Sequence, residues 1–160
     1  MYTKQFEIRW SDLDANLHLG NSKYMDFMSH TRMSFLINNN LDLEEMVQSN
    51  LGPVTLHEHI YYFKEVRPNE TITVSLEVLG FTPDGRFLKF EHNFYDKEGV
   101  NLAYAEILFS WIDMKKRKIG TISSAILNKI ESLPRAKNFK FLDKEDLKSN
   151  ARTPKNIIES

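Results

Sequence analysis

The sequence predicts an α+β fold in which one antiparallel β-sheet wraps around a single long central α-helix. Three observations predict it. One strand-like segment and one long helical segment come first, and four strands heavy in Val, Ile, Thr, Phe and Tyr follow between Val54 and Asp113. The connections between those strands are short turns of the kind that join antiparallel neighbours. A sheet of this sort can bury one face against the only long helix.

Taken in order, Tyr2 to Arg9 alternates as a strand does, with Phe6 and Ile8 on one face and Gln5, Glu7 and Arg9 on the other. Trp10 to Gly20 is dense in Asp, Asn and Gly, which make their own side-chain turns, and reads as a loop. From Asn21 the spacing becomes helical and gathers Tyr24, Phe27, Met28, Phe35 and Leu36 on one side, with Asn21 or Ser22 as the expected N-cap. The helix is expected to stop in the run Asn38-Asn39-Asn40, and Leu41 to Ser49 to hold one further short helix before a break at Gly52-Pro53. The four strands are Val54 to Val66, Thr71 to Phe81, Phe87 to Tyr95 and Leu102 to Asp113, separated by Pro68-Asn69, Pro83-Asp84-Gly85 and Lys97-Glu98-Gly99. Ser123 to Ile130 has the pattern of a terminal helix. Residues 1–133 therefore read as one domain, and residues 134–160 as a polar C-terminal tail, mildly basic and short of core-type residues, expected to be partly ordered at best.

A chain of 160 residues with 41% hydrophobic and 27% charged residues can bury a core without staples, which argues against disorder and fibrous repeats. Its formal net charge of -1 lacks the basic excess that drives nucleic-acid binding, so no nucleic-acid partner is expected. The absence of cysteine removes disulfides, thiolate nucleophiles and Cys-ligated zinc together, and suits a reducing, cytoplasmic setting. The start, MYTKQFEIRW, lacks the apolar core of a signal peptide, and no apolar run approaches the eighteen or so residues of a membrane span, so no membrane partner is expected.

The chemistry concentrates in Asp12-Leu13-Asp14-Ala15-Asn16-Leu17-His18-Leu19-Gly20-Asn21-Ser22-Lys23-Tyr24, where two carboxylates, an amide and an imidazole precede the long helix. A helix N-terminus offers unpaired N–H groups and a positive dipole end that can polarise a carbonyl and stabilise an oxyanion. A carboxylate beside it can serve as base or nucleophile, so Asp14, Asn16 and His18 suit acyl transfer. The same residue types also fill ordinary loops for turn and capping reasons.

This stretch resembles the signature of hotdog-fold thioesterases, D-x-D-x-x-x-H-V-N-N-x-x-Y followed by an Arg, with Asp14, His18, Asn21, Tyr24 and Arg32 in register. It is similar in particular to the second hotdog repeat of plant acyl-acyl-carrier-protein thioesterases, whose Asp, Asn and His correspond to Asp14, Asn16 and His18. The Glu of the plant R-R-E-C stretch corresponds to Glu65, in Phe63-Lys64-Glu65-Val66. The chain departs from the pattern at Leu19 and Gly20, at Ser29, where the 4-hydroxybenzoyl-CoA thioesterase type is often acidic, and at Val66, which stands where the plant enzymes have Cys. The resemblance implies a single hotdog domain and hydrolysis of an acyl-CoA or acyl-acyl-carrier-protein thioester to a free acid and a thiol. It implies Asp14, Asn16, His18, Asn21 and Glu65 as site residues, with the N–H of Asn21 on the thioester carbonyl, Asp14 as nucleophile or general base, and Glu65 as an alternative base. One repeat is half of the plant arrangement, which implies a homodimer or tetramer. A hotdog dehydratase or hydratase, and a catalytically silent acyl-thioester-binding protein, are the alternatives.

Other groups have plainer explanations. His57 and His59 alternate on one strand face, and an H-x-H pair can open a metal site, but no third ligand is apparent; neither metal nor cofactor is expected. The run Lys115-Lys116-Arg117-Lys118 could meet phosphates of coenzyme A or an acidic carrier protein, and equally reads as a solvated turn. The aromatic residues Tyr61, Tyr62, Phe63, Phe90, Phe94 and Tyr95 could line an acyl pocket, with core and subunit contacts as the default.

Overall fold

In the computed structural model, which describes residues 1–41 and 43–157, a curled antiparallel sheet closes over one long helix. The chain runs β1 (Tyr2–Glu7), a single 3-10 turn (Trp10–Asp12), α1 (Asn21–Asn38), α2 (Leu43–Gln48), β2 (Leu51–Tyr62), β3 (Thr71–Phe81), β4 (Phe87–Tyr95), β5 (Asn101–Asp113), β6 (Lys118–Ile119), α3 (Ser124–Glu131), β7 (Arg135–Phe141) and α4 (Lys144–Lys148). The main sheet has the order β1-β3-β4-β5-β2, with β6 added to β5 and β7 lying parallel to β3. No helix among the described residues is long and apolar enough to cross a membrane.

The alternation that predicts each strand also decides which face is buried. In β4, Leu88, Phe90, His92 and Phe94 turn inward, while Phe87, Lys89, Glu91, Asn93 and Tyr95 are half-buried on the other face. Helix α1 presents Tyr24, Phe27, Met28, Thr31, Arg32, Phe35 and Leu36 to the interior. Two apolar clusters result. Phe27, Met28, Val74, Phe94 and Ile107 pack toward the start of α1, and Phe35, Leu36, Leu76, Phe90 and Trp111 toward its end. Burial of each such side chain contributes about 1.5–3 kcal/mol, which makes this packing the main force holding the sheet on the helix.

Three local expectations are corrected. The N-cap of α1 is Gly20, with φ -61° and ψ 139°, and Asn21 is the first helical residue, because Gly20 is held by its N–H on the Asp12 carbonyl at 2.8 Å. Strand β2 begins at Leu51 and runs through Gly52-Pro53, where a break was expected, and it ends at Tyr62, short of Val66. Pro53 is tolerated because β2 is the outermost strand of the main sheet, where a missing N–H costs little.

The third correction concerns residues 135–148, expected within a loosely ordered tail. They form β7 and α4, with Ala136 and Leu142 buried and Arg135 stacked over the rings of Phe81, Phe139 and Phe141. Gly80 makes the docking possible, since a Cβ there would collide with the carbonyl oxygen of Lys140. Composition understated this segment because few apolar side chains suffice when the backbone itself pairs with a neighbour.

Candidate active site

The loop before α1 is stapled by Asp12. Its buried carboxylate accepts from Arg9 Nη2 and from the Arg9 N–H, both at 2.9 Å, and its carbonyl accepts from Gly20 N. The Arg9 guanidinium holds the Asp12 carboxyl below the usual carboxylate range against the opposing effect of burial. Leu13 and Leu19 bridge across the loop, and Leu17 turns the chain at φ 59°. Of the two acidic residues, Asp12 is thus consumed by structure.

Asp14 sits at the open end of this loop, exposed. Its Oδ1 accepts from the N–H of Asn16 at 2.8 Å and of His18 at 3.2 Å, while its own N–H donates to the His18 carbonyl at 2.8 Å. One carboxylate oxygen is therefore fixed by the backbone. Among the described residues, no hydrogen bond engages Oδ2.

Glu65 reaches the loop because the chain beyond β2 is tied to it. Leu19 N donates to the Val66 carbonyl at 2.8 Å, and this sets His18 Nε2 3.0 Å from Glu65 Oε2. Arg67 grips the other oxygen, its Nε donating to Glu65 Oε1 at 2.7 Å. That guanidinium holds the Glu65 carboxyl below its ordinary range, with His18 adding to the effect. A carboxylate held in this way is a better positioner than a proton acceptor.

These groups border an open cleft of about 350 Å³ between the start of α1 and the segment after β2, lined also by Tyr24, Tyr62 and Phe63. Burial pushes the Tyr24 hydroxyl up to about 12, so it stays protonated, and its ring meets that of Tyr62 edge-on at 5.0 Å. Asn21 opens α1 at the cleft, and no side chain of the Gly20 N-cap covers the first-turn N–H groups. The structure thus brings together Asp14, His18, Asn21 and Glu65. It does not bring in the Asn16 side chain, which is exposed away from the cleft lining; Asn16 touches the site through its N–H on Asp14. The clamp by Arg67 escaped sequence reasoning, although two residues of extended chain place it on the same side as Glu65.

The remaining groups are divided between core, surface and cleft. Phe90 and Phe94 are core, Tyr61 is exposed, and Tyr62 and Phe63 line the cleft. The rings of His57 and His59 lie 5.4 Å apart. His92, by contrast, is fully buried against Arg32.

Residues 8–130 match the family model described as the thioesterase-like superfamily. Over 129 residues the chain is 23% identical to the long-chain acyl-CoA thioesterase FadM of Escherichia coli (strain K12), spanning 81% of this chain and 96% of that protein. A hypothetical protein from Staphylococcus aureus, solved in complex with CoA, superposes with a TM-score of 0.76 at 20% identity, covering 95% of this chain and 94% of the other. A 1,4-dihydroxy-2-naphthoyl-CoA thioesterase from Synechocystis superposes with a TM-score of 0.71 at 16% identity, covering 82% and 96%. These superpositions establish the shared fold.

Proposed function

The chain belongs to the thioesterase-like superfamily, and from that premise we propose how it works as a thioester hydrolase on acyl-coenzyme A. The observation that carries the reading is one cleft holding a backbone-anchored carboxylate, Asp14, beside an uncapped helix N-terminus at Asn21. The thioester carbonyl accepts from the N–H of Asn21, where the dipole of α1 favours the negative charge that grows on the oxygen. Asp14 either attacks the carbonyl carbon or takes the proton of an attacking water. The C–S bond then breaks, and the thiolate leaves to be protonated by solvent or by His18; where Asp14 has attacked, water hydrolyses the acyl–Asp14 anhydride to the free acid and restores the carboxylate. Glu65 and Arg67 hold His18 in place, and Asn16 fixes the orientation of the Asp14 carboxylate.

The working form is a homodimer. Strand β2 closes one side of the main sheet with no further strand beyond it among the described residues, and Leu56, Tyr61, Tyr62 and the adjoining Phe63 are exposed there. Such an edge calls for a second copy of itself. A hydrolysis panel over acyl-CoA and acyl-carrier-protein thioesters, with alkyl chains of several lengths and one aryl member, tests the activity. Turnover of CoA thioesters supports it, and no hydrolysis of any member overturns it.

A further inference from the structure

The run Lys115-Lys116-Arg117-Lys118 lies on the turn from β5 to β6, and all four residues are exposed. The turn is a built feature. Asp113 Oδ1 accepts from the N–H of Lys115 at 2.9 Å, the N–H of Lys116 at 2.8 Å and Asn50 Nδ2 at 2.8 Å, and Arg117 takes φ 55°. Among the described residues, the only carboxylate in ion-pair reach of the run is Asp113, 3.9 Å from Lys116 Nζ. Three of the four cations are thus left for an external anion.

Within one subunit the turn and the cleft are far apart. In the β2–β5 ladder Tyr62, at the cleft, faces Ala103, whereas Leu51 faces Asp113, beside the turn. The ten strand steps from Ala103 to Asp113 span roughly 33 Å. A two-fold axis changes this, because two copies joined through the β2 edge pair that strand antiparallel. An axis near the middle of β2 would bring a second copy onto His57 Nδ1, His57 Nε2 and Glu58 Oε2, which are buried without a hydrogen-bond partner in the single chain. The Leu51 end of the second copy then lies beside Tyr62. Its β5, carrying the basic turn, stands two strand spacings away, about 10 Å.

We infer that the basic turn of one protomer binds the phosphates of the coenzyme A nucleotide whose thioester occupies the cleft of the other. The nucleotide end of coenzyme A carries a diphosphate and a 3′-phosphate, and clustered Lys and Arg side chains match such a polyanion. The inference rests on the acyl-CoA reading and on the dimer, and it adds a substrate contact made in trans.

The test compares the wild type with a variant carrying Lys115→Gln, Lys116→Gln and Arg117→Asn. The KM for an acyl-CoA is expected to rise by about tenfold, as for loss of clustered phosphate contacts, with the gap narrowing at high salt. The matching acyl-pantetheine thioester, which lacks the nucleotide, is expected to be hydrolysed equally by both. A mixed dimer decides the trans geometry: one protomer carries Asp14→Asn with an intact turn, and the other carries Asp14 with the neutralised turn. Its single competent cleft should show the wild-type KM, whereas a raised KM places the turn in cis and overturns the inference. Unchanged KM in the variant homodimer, a loss confined to carrier-protein thioesters, or a monomer in sedimentation each overturns it too. Calorimetric titration with CoA separates this from failure of the catalytic reading. Weaker CoA binding by the variant upholds the turn even if nothing is hydrolysed, and equal binding refutes it.

Discussion

His18 Nε2 lies 3.0 Å from Glu65 Oε2, and the same carboxylate is gripped from its far side by Arg67. The pair exists because the Val66 carbonyl anchors Leu19, one residue beyond each member of the pair, so two remote stretches are registered by a single backbone hydrogen bond. In the proposed mechanism Glu65 is thereby a positioning residue for His18, and Asp14 is the carboxylate that meets the substrate.

Asp14→Asn is expected to lower kcat by 10²-fold or more, about the contribution of a placed acid or base, while fold and assembly persist. The change removes charge with almost no change of shape at an exposed site. Steady-state kinetics together with circular dichroism and sedimentation check it. Activity within a few-fold of wild type removes Asp14 from the centre of the mechanism.

Glu65→Gln and His18→Ala should each lower kcat by roughly tenfold, and the double variant should lose little more than either single one, since coupled residues are non-additive. Multiplicative losses would show that the two act separately. A loss of 10²-fold or more for Glu65→Gln alone would instead make Glu65 the base. Hydrolysis in ¹⁸O-labelled water with enzyme in excess adds the role of Asp14, because a nucleophilic carboxylate acquires label when the anhydride is hydrolysed at the Asp14 carbonyl and a general base acquires none.

Much of the fold was legible because strand periodicity and turn chemistry act locally. Strands β3 and β4 and helix α1 occupy the residues that alternation and helical spacing assign to them. What was hidden depended on partners remote in sequence. Polar residues 135–141 become a strand because β3 offers backbone groups and Gly80 offers room. In the site, loop composition pointed to a carboxylate, His18 and the start of α1, yet it could not tell Asp12 from Asp14, although Arg9, which makes the difference, lies only three residues from Asp12. Nor could it show that Asn16 turns its side chain away. His92 alternates with Phe90 and Phe94 on the inward face, but its neighbour there, Arg32, did not show in the sequence because it arrives from another element.

If β2 is the seam between two copies, its amides should be protected in a way that depends on protein concentration. Hydrogen exchange measured from nanomolar to tens of micromolar is expected to show slowing across residues 51–62 as dimer forms, with β4, paired on both sides, unchanged. Sedimentation at micromolar concentration should show no major monomer. Protection of β2 that ignores concentration, alongside a fully active monomer, would contradict the shared sheet.

The buried histidine makes stability depend on pH in a direction that can be worked out. His92 Nδ1 donates to the Ser75 carbonyl at 2.8 Å, which leaves the Nε2 lone pair facing Arg32 Nη1 at 3.5 Å. Burial, and then the charge of Arg32, push His92 from 6.5 down to about 3. The folded chain therefore refuses a proton that the unfolded chain accepts below 6.5. The stabilisation is whole above that pH and is lost as the pH falls toward 3, at up to about 1.4 kcal/mol per pH unit. Urea unfolding should show roughly 2 kcal/mol lost to this group between pH 6.5 and 5. His92→Gln keeps an acceptor for Arg32 but cannot take up the proton, so its unfolding free energy should decline less over that range, whatever its stability at pH 7.5. The two proteins differ at this residue alone, so the difference between the two slopes isolates His92. Parallel slopes would mean that His92 is protonated in the fold and that its pairing with Arg32 is not as described.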